Sequence, residues 1–312
     1  MARPAVQWSL TLPGPLTYPV TTDGEAIFAV SGGNVYSLEV TGLKRWTARV
    51  QAAGPVVVDT AGLLVPTQSG RIALLETETG KVITETEPIS STHAAPSVLG
   101  GVIVWVTSDG LFATSAGDVH QLSTTPLTDL ASDGQRIYVG SRGGRLMAVD
   151  VGGVVWEAEL PGPAIGHPVV GDDAVYIATA PQGEADASLV AVGRSDGVMR
   201  WTSPISSTVA ASPALGSLLI VPGLSGDLFA MDLRHGGIRW RAPGLAGFSV
   251  QPAIANETIY AGNADGRLYR VDIHDGGEAW SVELGAPITG EPAMVKGRIV
   301  IGLSDGRLMC LQ

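Results

Sequence analysis

Cysteine is all but absent. Cys310 is the only one in 312 residues, so no disulfide can form within the chain and the redox compartment stays open. Charge is scarce as well. Charged residues make up 16% of the sequence, and 19 basic residues face 30 acidic ones, for a net charge of -11. That balance excludes nucleic-acid binding through bulk charge, which requires clustered Lys and Arg. Long apolar runs are missing too. The longest, Val98 to Val106, falls far short of the roughly 20 residues of a spanning helix. The start, Met1-Ala2-Arg3-Pro4, carries no apolar leader. Read as it stands, the chain is expected in the cytoplasm, with the periplasm or cell envelope the alternative if a leader has been removed.

Glycine and proline, in contrast, are abundant, at 41 and 20 residues. Both break helices, so a mainly helical protein is excluded. Disorder is excluded by the 45% apolar content. What remains is a chain of short apolar runs, rich in Val, Ala, Leu and Ile, punctuated by turns.

Those runs repeat. Asp265-Gly266-Arg267-Leu268-Tyr269-Arg270-Val271-Asp272 is followed by Gly276 and Trp280. The run Asp305-Gly306-Arg307-Leu308 restarts it, and Gly226-Asp227-Leu228-Phe229-Ala230-Met231-Asp232, Gly236 and Trp240 precede it. Equivalent glycine slots fall at 33, 70, 110, 144, 187, 226, 266 and 306, with Ala187 in one of them. Eight units of about 40 residues account for the whole chain. In unit seven the pattern predicts four strands: Pro252–Ile254 (A), Thr258–Ala261 (B), Arg267–Asp272 (C) and Ala279–Val282 (D). Four short strands per unit, with turn signals at regular spacing, is a propeller-blade pattern.

The tryptophans keep the same phase. Trp46, Trp156, Trp201, Trp240 and Trp280 each stand four residues after a turn glycine, where an outer-strand Trp can wedge against the next blade. Units two and three hold Thr84 and His120 in that slot. Trp105 is out of phase and reads as inter-blade core. Unit eight has no D strand of its own before Gln312, while Val6-Gln7-Trp8-Ser9-Leu10 precedes unit one with Trp8 in phase. The expected fold is therefore all-β: a single eight-bladed propeller over 1–312, in which residues 1–12 supply the outer strand of the last blade. Such a ring has no free edge to pair, so a monomer is expected.

Unit six carries Ser212-Pro213-Ala214, Gly226, Leu228, Ala230, Asp232, Gly236 and Trp240. This resembles the repeat of the pyrroloquinoline-quinone-type (PQQ-like) propellers, over essentially every residue. One branch of that family is the quinoprotein dehydrogenases, which are longer and carry a vicinal cysteine pair and a calcium site. The single cysteine and short loops depart from them. In size and bareness the sequence is more similar to the BamB-like propellers of outer-membrane barrel assembly. That resemblance implies a non-catalytic, cofactor-free scaffold that binds protein partners. The alternative is a propeller that binds a small molecule or quinone, a sensor, or a relative of the PQQ-dependent dehydrogenases.

The residues themselves give no catalytic set. Gly80-Lys81-Val82 is a strand turn, not a phosphate loop. Metal-ligand spacings such as His-Glu-x-x-His or paired Cys-x-x-Cys are missing, as is Gly-x-Ser-x-Gly. Asn256-Glu257-Thr258 matches a glycosylation sequon, but the A–B turn position explains its asparagine.

Four features are candidate contacts for a partner or ligand. Superposed repeats place Ala95, Asp129, His167, Ser212, Gln251 and Glu291 around one mouth of the channel, where the charged members suit a cation or polar ligand and a solvated turn is the plain alternative. Arg71, Arg145, Arg267 and Arg307 each follow a B–C turn; they form either a patch for an acidic partner or a rim paired with local carboxylates. Unit five carries an insertion, Pro181-Gln182-Gly183-Glu184-Ala185, with Glu184 at its charged point. Phe248 is an anchor if exposed and a plug between blades if buried.

Overall fold

The computed structural model describes residues 3–90, 92, 94–115, 118–124, 127–180, 186–209, 211–243, 247–248 and 250–312. It contains eight sheets of four antiparallel strands, arranged as an eight-bladed β-propeller. Strands within a blade are lettered A to D from the channel to the rim. Blade 7 has A at Ala253–Ala255, B at Thr258–Gly262, C at Arg267–Asp272 and D at Glu278–Glu283, close to the span the repeat predicts. A strands of neighbouring blades touch around the channel. Among the described residues no helix is long and apolar enough to cross a membrane.

Burial explains the run-on apolar character of the inner strands. B strands such as Ala26–Ser31 and Ala174–Thr179 are buried at every position, because both faces meet a neighbouring blade. D strands are more exposed, alternating in Gly153–Glu159 and open throughout in Val82–Glu85, because they lie at the water-facing rim. Apolar clusters accordingly lie between blades; one joins Leu189 and Ala191 of blade 5 to Val221 and Phe229 of blade 6.

The tryptophan wedges behave as their spacing predicts. Trp46, Trp156, Trp201 and Trp240 donate their indole N–H to the carbonyls of Thr77, Arg194, Leu233 and Ile273 in the next blade, at 2.7–3.1 Å. Each ring lies over a C–D turn glycine. At Gly236 the backbone needs φ of +69°, and an added Cβ would stand 2.5 Å from the Trp201 ring. Turn geometry and ring packing thus both require glycine there. Thr84 and His120 occupy the same ladder position as the tryptophans, opposite Leu74 and Ala113. Trp105 is fully buried between blades 2 and 3, with Leu64, Ile72 and Phe112. One glycine slot shifts. Gly110 pairs with Thr107 across its hairpin as Asn34 pairs with Ser31, so Asp109 holds the place Gly33 holds in blade 1.

The seam closes as expected. Val6–Thr11 pairs antiparallel with Arg307–Leu311, with Trp8 opposite Cys310 and Leu10 opposite Leu308. Ala5 and Gln312 exchange two further backbone hydrogen bonds. The D strand of blade 8 is therefore the N-terminal segment.

Candidate functional site

The repeat fixes a ring of eight side chains at one mouth of the channel. They stand two residues ahead of the equivalent A-strand positions Thr21, Val57, Ser97, Ala131, Val169, Ala214, Ala253 and Ala293. The ring is Pro19, Pro55, Ala95, Asp129, His167, Ser212, Gln251 and Glu291, and all eight line one cavity of about 500 Å³. Six of these follow from the superposed repeats. Pro19 and Pro55 complete the ring, and the same two-residue offset applied to units one and two locates them.

Asp129 and His167 reach the cavity by a local irregularity. Their A strands bulge, between Leu127 and Leu130 in blade 4 and between Ile165 and Val169 in blade 5. A bulge leaves residues outside the ladder and re-aims their side chains. Elsewhere the ring residue precedes strand A, as with Glu291 ahead of Ala293–Val295.

The ring is divided in two. Blades 1 to 3 contribute an apolar arc, Pro19, Pro55 and Ala95, extended by Val56 and Val57. Blades 4 to 8 contribute the polar arc. There the Ser212 hydroxyl accepts the His167 backbone N–H at 2.9 Å and lies 2.9 Å from His167 Nδ1. Gln251, which acts to raise the His167 pKa, donates its amide N–H to the Pro213 carbonyl at 2.9 Å. The Ser212 contact on both the backbone N–H and Nδ1 of His167 orients the imidazole.

The charges respond to the enclosure. Burial pushes the His167 pKa down, against the opposing pull of Asp129 and Gln251, so the imidazole is neutral near pH 7. Asp129 opens its side chain to the cavity, yet the surrounding protein desolvates it enough to raise its pKa, with His167 opposing. Desolvation alone lifts Glu291 from 4.5 to about 7. Perturbed carboxyls converging on one concave site mark a binding-site candidate. Among the described residues no three His, Cys, Asp or Glu side chains are grouped closely enough to hold a metal ion.

The other candidates resolve differently. Arg71, Arg145, Arg267 and Arg307 each ion-pair with a carboxylate of their own blade: Glu85 (3.9 Å), Glu157 (3.1 Å), Glu283 (3.4 Å) and Asp305 (2.6 Å). They form a rim paired with local carboxylates, one of the two arrangements the sequence leaves open. Phe248 takes the plug position of its two alternatives. It is fully buried and meets Tyr269 edge-on at 6.0 Å, plugging the space between blades 6 and 7. A side chain with no exposed surface cannot anchor a partner. Glu184 and the rest of the 181–185 insertion lie outside the described residues.

A family model described as outer membrane protein assembly factor BamB matches residues 31–121, 113–244 and 186–312. The chain belongs to the BamB family. A curated BamB from Yersinia pestis is 25% identical over 151 aligned residues, which take in 42% of this chain and 37% of that protein. The crystal structure of BamB from Moraxella catarrhalis superposes with a TM-score of 0.82 at 21% identity, covering 100% of this chain and 98% of that one. Quinohemoprotein alcohol dehydrogenase from Comamonas testosteroni is a more remote neighbour, with a TM-score of 0.75 at 12% identity, covering 99% of this chain and 76% of that one. Identities this low show a shared propeller fold, which is a different matter from a shared activity.

Proposed function

We propose that this chain is a non-catalytic scaffold that binds a protein partner in outer-membrane protein assembly. The observation that carries the reading is the family match, which runs from Ser31 to Gln312. The fold is consistent with it. A closed ring with wedged blade interfaces is stiff, and a stiff ring presents its loops and channel mouth in fixed geometry. A preorganised surface loses less entropy on binding.

The test is site-specific crosslinking in the native host. A photoreactive residue at Ala95, on the mouth, should capture a component of the barrel-assembly machinery or one of its substrates. The same residue at exposed Val151, on the rim, serves as the comparison. Capture of neither class of protein would sink the assembly reading. Oxidation of an alcohol or sugar by the purified protein, supplied with quinone and calcium, would establish the dehydrogenase-like alternative in its place.

A further inference from the structure

The channel mouth holds two carboxylates that no arginine or lysine among the described residues pairs with; the one charge that acts on Asp129 is that of His167. Among the described residues no side chain hydrogen-bonds either carboxyl group, Asp129 feels only the neighbouring His167, and burial is the one influence on Glu291. Both carboxyl groups keep solvent contact at the cavity, yet the surrounding protein desolvates each of them, so a cationic group entering the cavity is favoured at either one. Elsewhere this chain supplies the cation itself: Asp227, Asp133 and Asp232 each meet an arginine within 2.8 Å. At the mouth no arginine among the described residues does so for Asp129 or Glu291.

Position adds a second constraint. Asp129 belongs to blade 4 and Glu291 to blade 8, four blades apart in a ring of eight, so they face each other across the channel. A single small ion cannot satisfy both. The space between them is the cavity of about 500 Å³, within the usual size of a small-molecule site. Its wall over blades 1 to 3 is mostly apolar, with Pro19, Pro55 and Val57 beside Tyr18 and Thr21, whose hydroxyls hydrogen-bond the Ala53 and Val56 carbonyls. The occupant that fits is a flexible chain with a cation at each end and methylenes between.

We infer that the channel mouth binds a linear aliphatic diamine, with one ammonium group at Asp129, the other at Glu291, and its methylene chain against the apolar arc. Gln251 and neutral His167 lie on the opposite, polar arc and add no repelling charge to the cavity. The site is separate from the assembly reading: a scaffold can fail to bind diamines, and a diamine-binding propeller can lack an assembly partner.

Calorimetry on the purified full chain tests the inference, with putrescine and spermidine as probes, butylamine as the monoamine and magnesium as the compact dication. Both diamine-bearing probes should bind at least about tenfold more tightly than butylamine, because a second ion pair forms within one complex. Asp129→Asn and Glu291→Gln should each reduce putrescine to the butylamine level, with circular dichroism confirming that both variants fold. The titratable groups lining the cavity are Tyr18, Asp129, His167 and Glu291. Of these Glu291 loses its charge as the pH falls through about 7, so putrescine should bind several-fold more weakly at about pH 6 than at about pH 8. Equal affinity for putrescine and butylamine, binding of magnesium alone, or binding of a lysine-rich peptide without binding of putrescine would each overturn it. So would unchanged putrescine affinity in both folded variants.

Discussion

Trp8 donates its indole N–H to the carbonyl of Val40 at 2.9 Å, and this contact joins the N-terminal strand of blade 8 to blade 1. The same ring lies over Gly42, whose φ of +89° leaves no room for a side chain beneath the indole. Trp8 therefore holds the seam just as Trp46 holds the next interface. Trp8→Ala is expected to cost about 3 kcal/mol, the range for a large aromatic truncation with partial collapse. Deleting residues 1–12 should cost considerably more, since it also removes the ladder to Arg307–Leu311. Urea denaturation measures both, and an unchanged midpoint in the deletion would show that the seam contributes nothing to stability.

Gly236 carries two demands at once, a left-handed backbone and a face open to Trp201. Gly236→Ala should lose roughly 2 kcal/mol or more, through both the strained φ and the displaced ring. Gly24 is the control. Its φ is +90°, but nothing lies within 4 Å of an added Cβ, so Gly24→Ala isolates the backbone term. Comparable losses at the two sites would mean that the wedge packing adds nothing beyond turn geometry.

Blade number, strand order and seam were all legible in the sequence because they depend on spacing, and spacing survives substitution. The ring at the mouth was legible for the same reason: a phase read from Gln251 and Glu291 carries back to Asp129, although a bulge displaces it from its ladder. Partner choice was not legible. That Arg145 meets Glu157, 12 residues on, depends on side-chain direction, and that Ser212 of blade 6 reaches His167 of blade 5 depends on a neighbour 45 residues away. Phe248 lies in a crossing segment, where no periodicity marks which face is inward. Gly110 misleads because its glycine pairs within the hairpin instead of turning it.

Phe248→Ala should act on folding and leave surface contacts alone. The ring is fully buried against Tyr269 and Ile259, so truncation leaves a cavity between blades 6 and 7. A loss of about 3–5 kcal/mol is expected. Phe248→Leu keeps most of the volume and should recover more than half of it. Partner capture by the folded fraction should be unaffected, and a selective loss of capture at full stability would contradict the burial.

Glu291 gives the stability of the protein a pH dependence of unusual sign for a carboxylate. Its pKa lies at about 7 in the folded chain, against 4.5 for an ordinary glutamate, so between those values the folded state holds more proton than the unfolded state. Stability must then fall as the pH rises from about 4.5 to about 7, and the deficit is complete above that window. Asp232 works in the opposite sense. Arg239 and the backbone N–H groups of Arg234 and His235 hold it at about 2, so its contribution is present at neutral pH and is lost only in acid. Glu291→Gln removes the first effect and leaves the second. The variant should be more stable than the parent by about 2–3 kcal/mol at about pH 8, and nearly equal to it at about pH 4. Thermal melts of the two proteins across that range measure the difference directly. A variant that is equally or less stable at the alkaline end would mean that the Glu291 carboxylate is already solvated or paired in the folded chain.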